Sequence, residues 1–395
     1  MVRLGNLSNF YANDARVIVE PSSLEQRSLA KGPSIESMLS SLKGAIASEL
    51  VPQVEAIDEG SYPRAFMQQI GELGAFGQAV SAEYGGAGNG LKGAIQAIEA
   101  VSEECLCTGF MAWCQVACTW YMRNSDNAYL KEHVLPLVAT GKALGGTGLS
   151  NPMKHFAGIE KIALTAERVS GGYVLNGMLS WVSNIGPGHY FGIAAQMADC
   201  DDYLMAIVSD ELDGLTLRCN AHFIALEGSN TFSCVFRNVF VPDEWVLAAP
   251  CEEYVTRIRP GFMLTQVGMG LGLVNGCIEL IERSNQRYGH VNQFLDDSVD
   301  ELREELAIAQ QNTYELADRL DQDTMLDRAL FKNVIQARIT ASELSLRASQ
   351  SAMLHAGARA YLHRSEAERK LRESYFVAIV TPAIKQLKKM LHDLS

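Results

Sequence analysis

The 395-residue sequence is short of several features that would place it quickly, and each shortage excludes something. It has no surplus of basic residues: 33 Lys and Arg face 46 Asp and Glu, a formal net charge of -13. With no basic stripe to offset that charge, the chain is not read as a nucleic-acid binder. An anionic ligand stays open, because a few local cations or a helix N-terminus hold a phosphate on an acidic protein. No stretch approaches the length that spans a bilayer. The N-terminal run, with Arg3, Leu4, Asn6, Ser8 and Asn9, has no apolar core of a signal peptide. The chain is therefore expected to be soluble and cytoplasmic, with no membrane partner. Nine Cys occur, but no His- and Cys-rich segment follows at metal spacing, so no metal is expected. Cys105, Cys107, Cys114 and Cys118 read as small helical core residues with reduced thiols. There is no internal repeat and no low-complexity tract.

What is present is ordinary globular composition, 48% hydrophobic and 20% charged. At this length two or three packed subdomains are expected. Residues 1–32, punctuated by Pro21 and Gly32, read as an N-terminal arm. Apolar residues then recur at helical spacing (Ile35, Met38, Leu39, Leu42; Met67, Ile70, Leu73, Phe76), broken by the glycine-rich turn 83–88. Residues 108–122 are apolar nearly all round and predict a helix buried on most sides. Thr140-Gly141-Lys142 reads as the stop of a helical domain spanning 33–143. From 144 to 250 the pattern is that of strands. Tyr203 to Val208 is a continuous apolar run, Phe232, Cys234 and Phe236 alternate, and a small β-sandwich or barrel is predicted. After Arg259-Pro260-Gly261 helices return. Gly268, Gly272 and Gly276 share one face, as close approach of another backbone or a flat ligand requires. The stripes Leu302–Leu320 and Ile335–Met353 predict two long antiparallel helices of a bundle within 251–395. The fold class is thus mainly α with a central β-domain, between an N-terminal helical domain and a C-terminal four-helix bundle.

The stretch Leu144 to Asn184 organises the rest. Gly171-Gly172 and Asn176-Gly177 are turn signals, because both supply residues that tolerate positive φ. Ile162, Leu164 and Ala166, then Tyr173 and Leu175, then Trp181 and Ser183 alternate at strand period. Ser150-Asn151-Pro152 reads as a turn beside this hairpin platform.

With these residues in hand, the chain from Ile35 onward resembles the acyl-CoA dehydrogenase family of FAD flavoproteins. The matching stretches are Ala82-Glu83-Tyr84-Gly85-Gly86, the Ser-Asn-Pro tripeptide where the family writes Thr-Glu-Pro, Gly172 to Gly177 followed by Trp181-Val182-Ser183-Asn184, and Phe240-Val241-Pro242. The resemblance implies FAD, with FMN the lesser alternative. It implies that Thr147, Leu149 and Ser150 contact the flavin's pyrimidine edge. Trp181 would shield the ring, with Val182 beside it and Ser183 near N5. Fixed donors there favour a ring that gains negative charge on reduction. Tyr288-Gly289 matches a turn whose Arg and Phe usually reach a neighbouring subunit's FAD; the Arg position is Asn285, with Arg283 and Arg287 close by. Gly357, within His355-Ala356-Gly357-Ala358, stands where a Gly-Gly turn approaches the FAD pyrophosphate. Glu368 and Arg372 match the Glu and Arg that follow. A homodimer or homotetramer is implied, acting on a small molecule, possibly an acyl-CoA.

One element of the family pattern is missing. Removing a proton α to a thioester carbonyl needs a carboxylate in an apolar slot. The family's usual Glu falls at Thr381, and no acid lies between Ser374 and Lys389. The other family location, Phe262 to Val267, has none either. Thr381 and His355 are therefore the candidate catalytic residues, with Glu103 or Glu104 the nearest carboxylates by layout. The default expectation is α,β-dehydrogenation of an acyl thioester with hydride passing to flavin N5. The alternatives are a flavin-dependent monooxygenase of the same fold and an inactive flavoprotein scaffold. The electron acceptor is not named by any residue.

Overall fold

The computed structural model describes residues 32–219, 221–322 and 327–394. The arm read at 1–32 lies outside these residues except for Gly32. The first helices are α1 (Ile35–Ala45), α2 (Val54–Asp58), α3 (Arg64–Glu72), α4 (Gly90–Glu104), α5 (Leu106–Asn124) and α6 (Leu135–Ala139). Ser34 caps α1 by accepting from the Ser37 N–H at 3.2 Å, which satisfies one of the free donors of the first turn. Helix α5 is buried continuously from Leu106 to Met122, as its all-round apolar pattern requires.

The strands follow as β1 (Gly145–Thr147), β2 (Leu164–Val169), β3 (Gly172–Val182), β4 (Tyr190–Met197), β5 (Tyr203–Ser209), β6 (Leu215–Arg218), β7 (Phe232–Pro242) and β8 (Val246–Ala248), with helix α7 (Ser150–His155) after β1. They form one eight-stranded sheet in the order β6-β7-β3-β2-β4-β5-β8, with β1 parallel to β4. Its inner face closes a core of its own, with Leu175, Leu179 and Phe236 from one half and Phe191, Ile193 and Leu204 from the other. The β2–β3 hairpin turns at Gly171, whose φ is +81°.

Three local expectations are corrected here. Asn176-Gly177 is not a turn; it lies inside β3, opposite a bulge that gives β7 an extra residue at Arg237-Asn238. A second bulge gives β3 an extra residue at Ser180-Trp181, and Trp181 takes φ +63°. Two bulges on a ladder defeat a simple alternation, because each shifts the face by one residue. Ser150-Asn151-Pro152 opens α7 rather than forming a turn.

The remaining helices are α8 (Glu252–Thr265), α9 (Val267–Asn292), α10 (Val299–Gln322), α11 (Arg328–Ala356), α12 (Glu366–Ile379) and α13 (Ile384–Asp393). Helix α8 begins before Pro260, which it contains. The segment Glu252–Asn292 is long and apolar enough to cross a membrane, against the expectation from sequence, but 89% of its most apolar window is buried inside the protein. The glycine face of α9 meets a backbone. A Cβ at Gly268, Gly272 or Gly276 would overlap the carbonyl oxygens of Ile95, Glu99 and Glu103 on α4. Helices from both ends of the chain share one apolar core, from Met38 to Leu387.

Candidate functional site

Where the sheet meets the helices there is a cavity of about 1110 Å³. That exceeds the ~300–1,000 Å³ usual for one small ligand. Three chain regions build its polar side. Thr147 ends β1, and its Oγ1 lies 2.8 Å from the Tyr121 hydroxyl on α5. Burial drives the Tyr121 phenol well above its ordinary pKa, so it stays protonated. Ser183 follows β3 and bridges Thr147 backbone to backbone. Thr231 Oγ1 donates to Ser183 Oγ at 2.8 Å and lies 2.9 Å from Ser229 Oγ. These hydroxyls form a chain along one wall. The Trp181 indole, swung out of the ladder by the second bulge, stands half exposed in the cavity with its ring 5.8 Å from that of Phe223.

One end is aromatic. Phe110 and Trp113 from α5, Phe262 from α8 and Phe376 from α12 line it and touch one another, with centroids 4.5–5.8 Å apart. The segment Ala378 to Thr381 closes the floor. The hydroxyls of Thr381 and Ser150 lie 3.0 Å apart, and the Thr381 carbonyl accepts from Gln266 Nε2 at 2.9 Å. The lining cations are Lys154, Lys385 and Lys389. Among the described residues, Glu160 is the one carboxylate in the lining. It is exposed, accepts from Asn151 Nδ2 at 2.9 Å and sits 3.6 Å from Lys154 Nζ.

The platform is braced from behind. Asn184 Nδ2 donates to the Gly145 carbonyl at 2.7 Å, and Tyr62 donates to Asn184 Oδ1 at 2.6 Å. The carbonyl of Asn184 lies 2.9 Å from His189 Nδ1. His189 Nε2 lies 3.1 Å from the Arg64 guanidinium, so the ring is neutral, with its proton on Nδ1.

Of the residues singled out from sequence, Thr147, Ser150, Trp181, Ser183 and Thr381 converge on this cavity. Leu149 and Val182 do not line it; their side chains are buried in the helical core and the sheet core respectively. His355 does not reach it either. It is buried at the end of α11, with Nδ1 2.9 Å from the Ser351 carbonyl, so it is not placed to act as a base there. Tyr288-Gly289 lies within α9 rather than in a turn, and Arg287 stacks on Tyr288 at 5.3 Å. Gly357 ends α11 with φ +64°, away from the cavity lining. Glu103 and Glu104 are not among the lining residues; the Glu103 carbonyl accepts from the buried Lys370 at 2.7 Å. Arg372 bonds Asp58 and Glu368 at 2.7 and 2.6 Å and ties α12 to α2. Missed from sequence were Glu160, Gln266, the lysines and the aromatic end. The aromatics were hidden because a helix apolar on every side gives no sign of which side opens to a cavity.

Residues 33–142 match the family model described as acyl-CoA dehydrogenase, N-terminal domain. Benzylmalonyl-CoA dehydrogenase of Aromatoleum aromaticum is 26% identical over 58% of this chain, and the match spans 62% of that protein. A probable acyl-CoA dehydrogenase of Bacillus subtilis is 25% identical, over 86% of this chain and 91% of its own length. Among solved structures, butyryl-CoA dehydrogenase from Megasphaera elsdenii superposes with a TM-score of 0.81 at 18% identity, covering 91% of this chain and 97% of that one. The glutaryl-coenzyme A dehydrogenase complex with glutaryl-CoA superposes with a TM-score of 0.82 at 21% identity, covering 91% and 94%.

Proposed function

From a chain that has the acyl-CoA dehydrogenase fold and that family's N-terminal domain, we propose an FAD-dependent oxidoreductase that acts on an acyl thioester. The observation that carries the reading is the cavity between sheet and helices, with an indole standing in it and a row of hydroxyls along one wall. The donor set suits a flavin: Thr147, Ser183 and Thr231 offer hydroxyls to a polar ring edge, and Trp181 offers a flat apolar face. Lys154, Lys385 and Lys389 supply positive charge for phosphates. FAD held by these residues would supply the hydride acceptor. The chain's own residues do the rest. The aromatic end excludes water and takes the apolar part of the substrate, and the Ser150–Thr381 hydroxyl pair holds the floor where a carboxylate is usual in the family. For α,β-dehydrogenation the α-proton has to go to a base, and among the described residues Glu160 is the one carboxylate lining the cavity.

The lack of a buried carboxylate in that lining favours a second reading, a flavin-dependent monooxygenase on the same scaffold. The two separate under anaerobic conditions. A dehydrogenase is bleached by a panel of acyl-CoA esters and passes electrons to an artificial acceptor. A monooxygenase is not bleached, and consumes oxygen once its flavin is reduced. A folded protein that binds no added FAD overturns both.

A homo-oligomer fits the position of Tyr288 and Gly357 outside this cavity. The ends of α9 and α11 are joined where Ser284 and Asn292 bond the His355 carbonyl, and Phe294 and Tyr361 nearby are 82% and 89% exposed.

A further inference from the structure

Arg338 lies in the middle of α11 with no exposed surface. It forms no ion pair with any carboxylate among the described residues. Its guanidinium is held by neutral acceptors: Gln266 Oε1 at 3.0 Å, the Ser342 hydroxyl, and the Val377 carbonyl at 2.6 Å. Burial draws its pKa down to about 10, which leaves it charged at neutral pH. Gln266, also fully buried, extends the contact by donating to the Thr381 carbonyl. The cation is thus wired, through one side chain, to the floor of the cavity. A guanidinium taken out of water with no counter-ion is costly. That cost is offset in part when negative charge occupies the cavity one side chain away, because attraction through the protein interior is less screened than in water.

We propose that Arg338 is a positioning residue whose charge, relayed through Gln266 and the Thr381 backbone, favours negative charge in the cavity and so raises the reduction potential of a flavin bound there. The inference rests on the flavin reading of the cavity. Adding two electrons and one proton to an oxidised flavin leaves one net negative charge on the ring, and this is the charge the guanidinium attracts. A unit charge acting through one intervening side chain is worth on the order of tenfold in an equilibrium constant.

The test uses the full chain loaded with FAD, titrated with dithionite against a reference dye to obtain the midpoint potential. Three variants are compared with the parent: Arg338→Met removes the charge, Ser342→Asp neutralises it in place, and Arg338→Lys keeps it while breaking the fork of hydrogen bonds. Arg338→Met and Ser342→Asp are expected to bind reduced flavin about tenfold less well relative to oxidised, a drop of about 30 mV for a two-electron couple. Arg338→Lys should stay near the parent potential even if it melts earlier. If Arg338→Met does not fold, Ser342→Asp and Arg338→Lys decide the matter. Parent-like potentials in the charge-neutralised variants overturn the proposal, as does an Arg338→Lys shift as large as that of Arg338→Met, which marks a mechanical staple. A parent protein that binds no flavin overturns the cavity reading itself, and this inference with it; a flavin-binding parent with unmoved variants overturns this inference alone.

Discussion

Replacing Trp181 by Ala tests where a flat ligand sits. The side chain leaves 50% of its surface exposed. Phe223 is its one aromatic neighbour among the described residues. A Trp side chain presents roughly 150–250 Å², so about 100 Å² remains for a ligand to cover. At ~25 cal/mol per Å² of apolar area, covering it stabilises the complex by about 2.5 kcal/mol, equivalent to about 70-fold in Kd. The fold loses the buried half, also about 100 Å² and about 2.5 kcal/mol by the same coefficient, so affinity and stability are measured separately. Ala also inherits the same left-handed backbone at φ +63°, so no new strain distinguishes the two proteins. The measurement is a fluorescence titration of flavin-free protein with FAD, with circular dichroism confirming the fold. Trp181→Phe should recover most of the affinity by restoring a flat ring. A folded Trp181→Ala protein whose affinity for FAD matches the parent's refutes the placement of the ring against the indole.

Other consequences are open to measurement. If the reaction is α,β-dehydrogenation, Glu160→Gln should abolish anaerobic bleaching by acyl-CoA while leaving FAD affinity unchanged; undiminished bleaching removes Glu160 as the base. Burial, opposed by the Asn184 carbonyl and reinforced by Arg64, draws the His189 pKa down to about 4. In an unfolded chain it titrates near ~6.5, so the unfolded state takes up a proton that the folded state refuses as pH falls from about 6.5 to 4, costing up to about 3 kcal/mol. Asp210, which accepts from the backbone N–H of His189 and whose pKa burial raises to about 6, works the other way and returns part of that loss. Urea unfolding of His189→Asn at pH 7 and pH 4.5 should therefore show less acid loss than the parent, and an equal loss counts against a buried neutral imidazole. Gly272→Val should lower the melting temperature, since a β-branched side chain has no room against the Glu99 carbonyl of α4 and overpacking costs about 1–3 kcal/mol. Parent-like melting would mean that α4 and α9 do not meet at that glycine.

Much of the fold was legible because it is written in local chemistry. The stripes that became α10 and α11, the all-round apolar pattern of α5 and the Gly171 turn each follow from periodicity or from one residue's backbone freedom. The small face of α9 announced a close neighbour, and α4 supplies it. Misreadings came where the chain's local signals were overridden. Pro260 punctuates a sequence but sits within a helix in the structure. Asn176-Gly177 has the composition of a turn, but it pairs across a bulge. His355 occupies a suggestive position in the chain, yet its ring is turned into the protein.

For the site, sequence supplied Thr147, Ser150, Trp181, Ser183 and Thr381, because these lie in short stretches that resemble the acyl-CoA dehydrogenase family's at matching positions. It also established that no acid stands at Thr381, which is a fact of composition alone. Only the tertiary structure decided that Gln266 and Arg338, 72 residues apart in sequence, stand behind Thr381. It alone put Phe110, Trp113, Phe262 and Phe376 at one end of a single cavity, and left Leu149, Val182 and His355 outside it. The physical reason is that periodicity specifies which face of an element is buried. Whether that face meets a neighbour or opens onto an empty space depends on packing between segments far apart in the chain, and no local pattern encodes that.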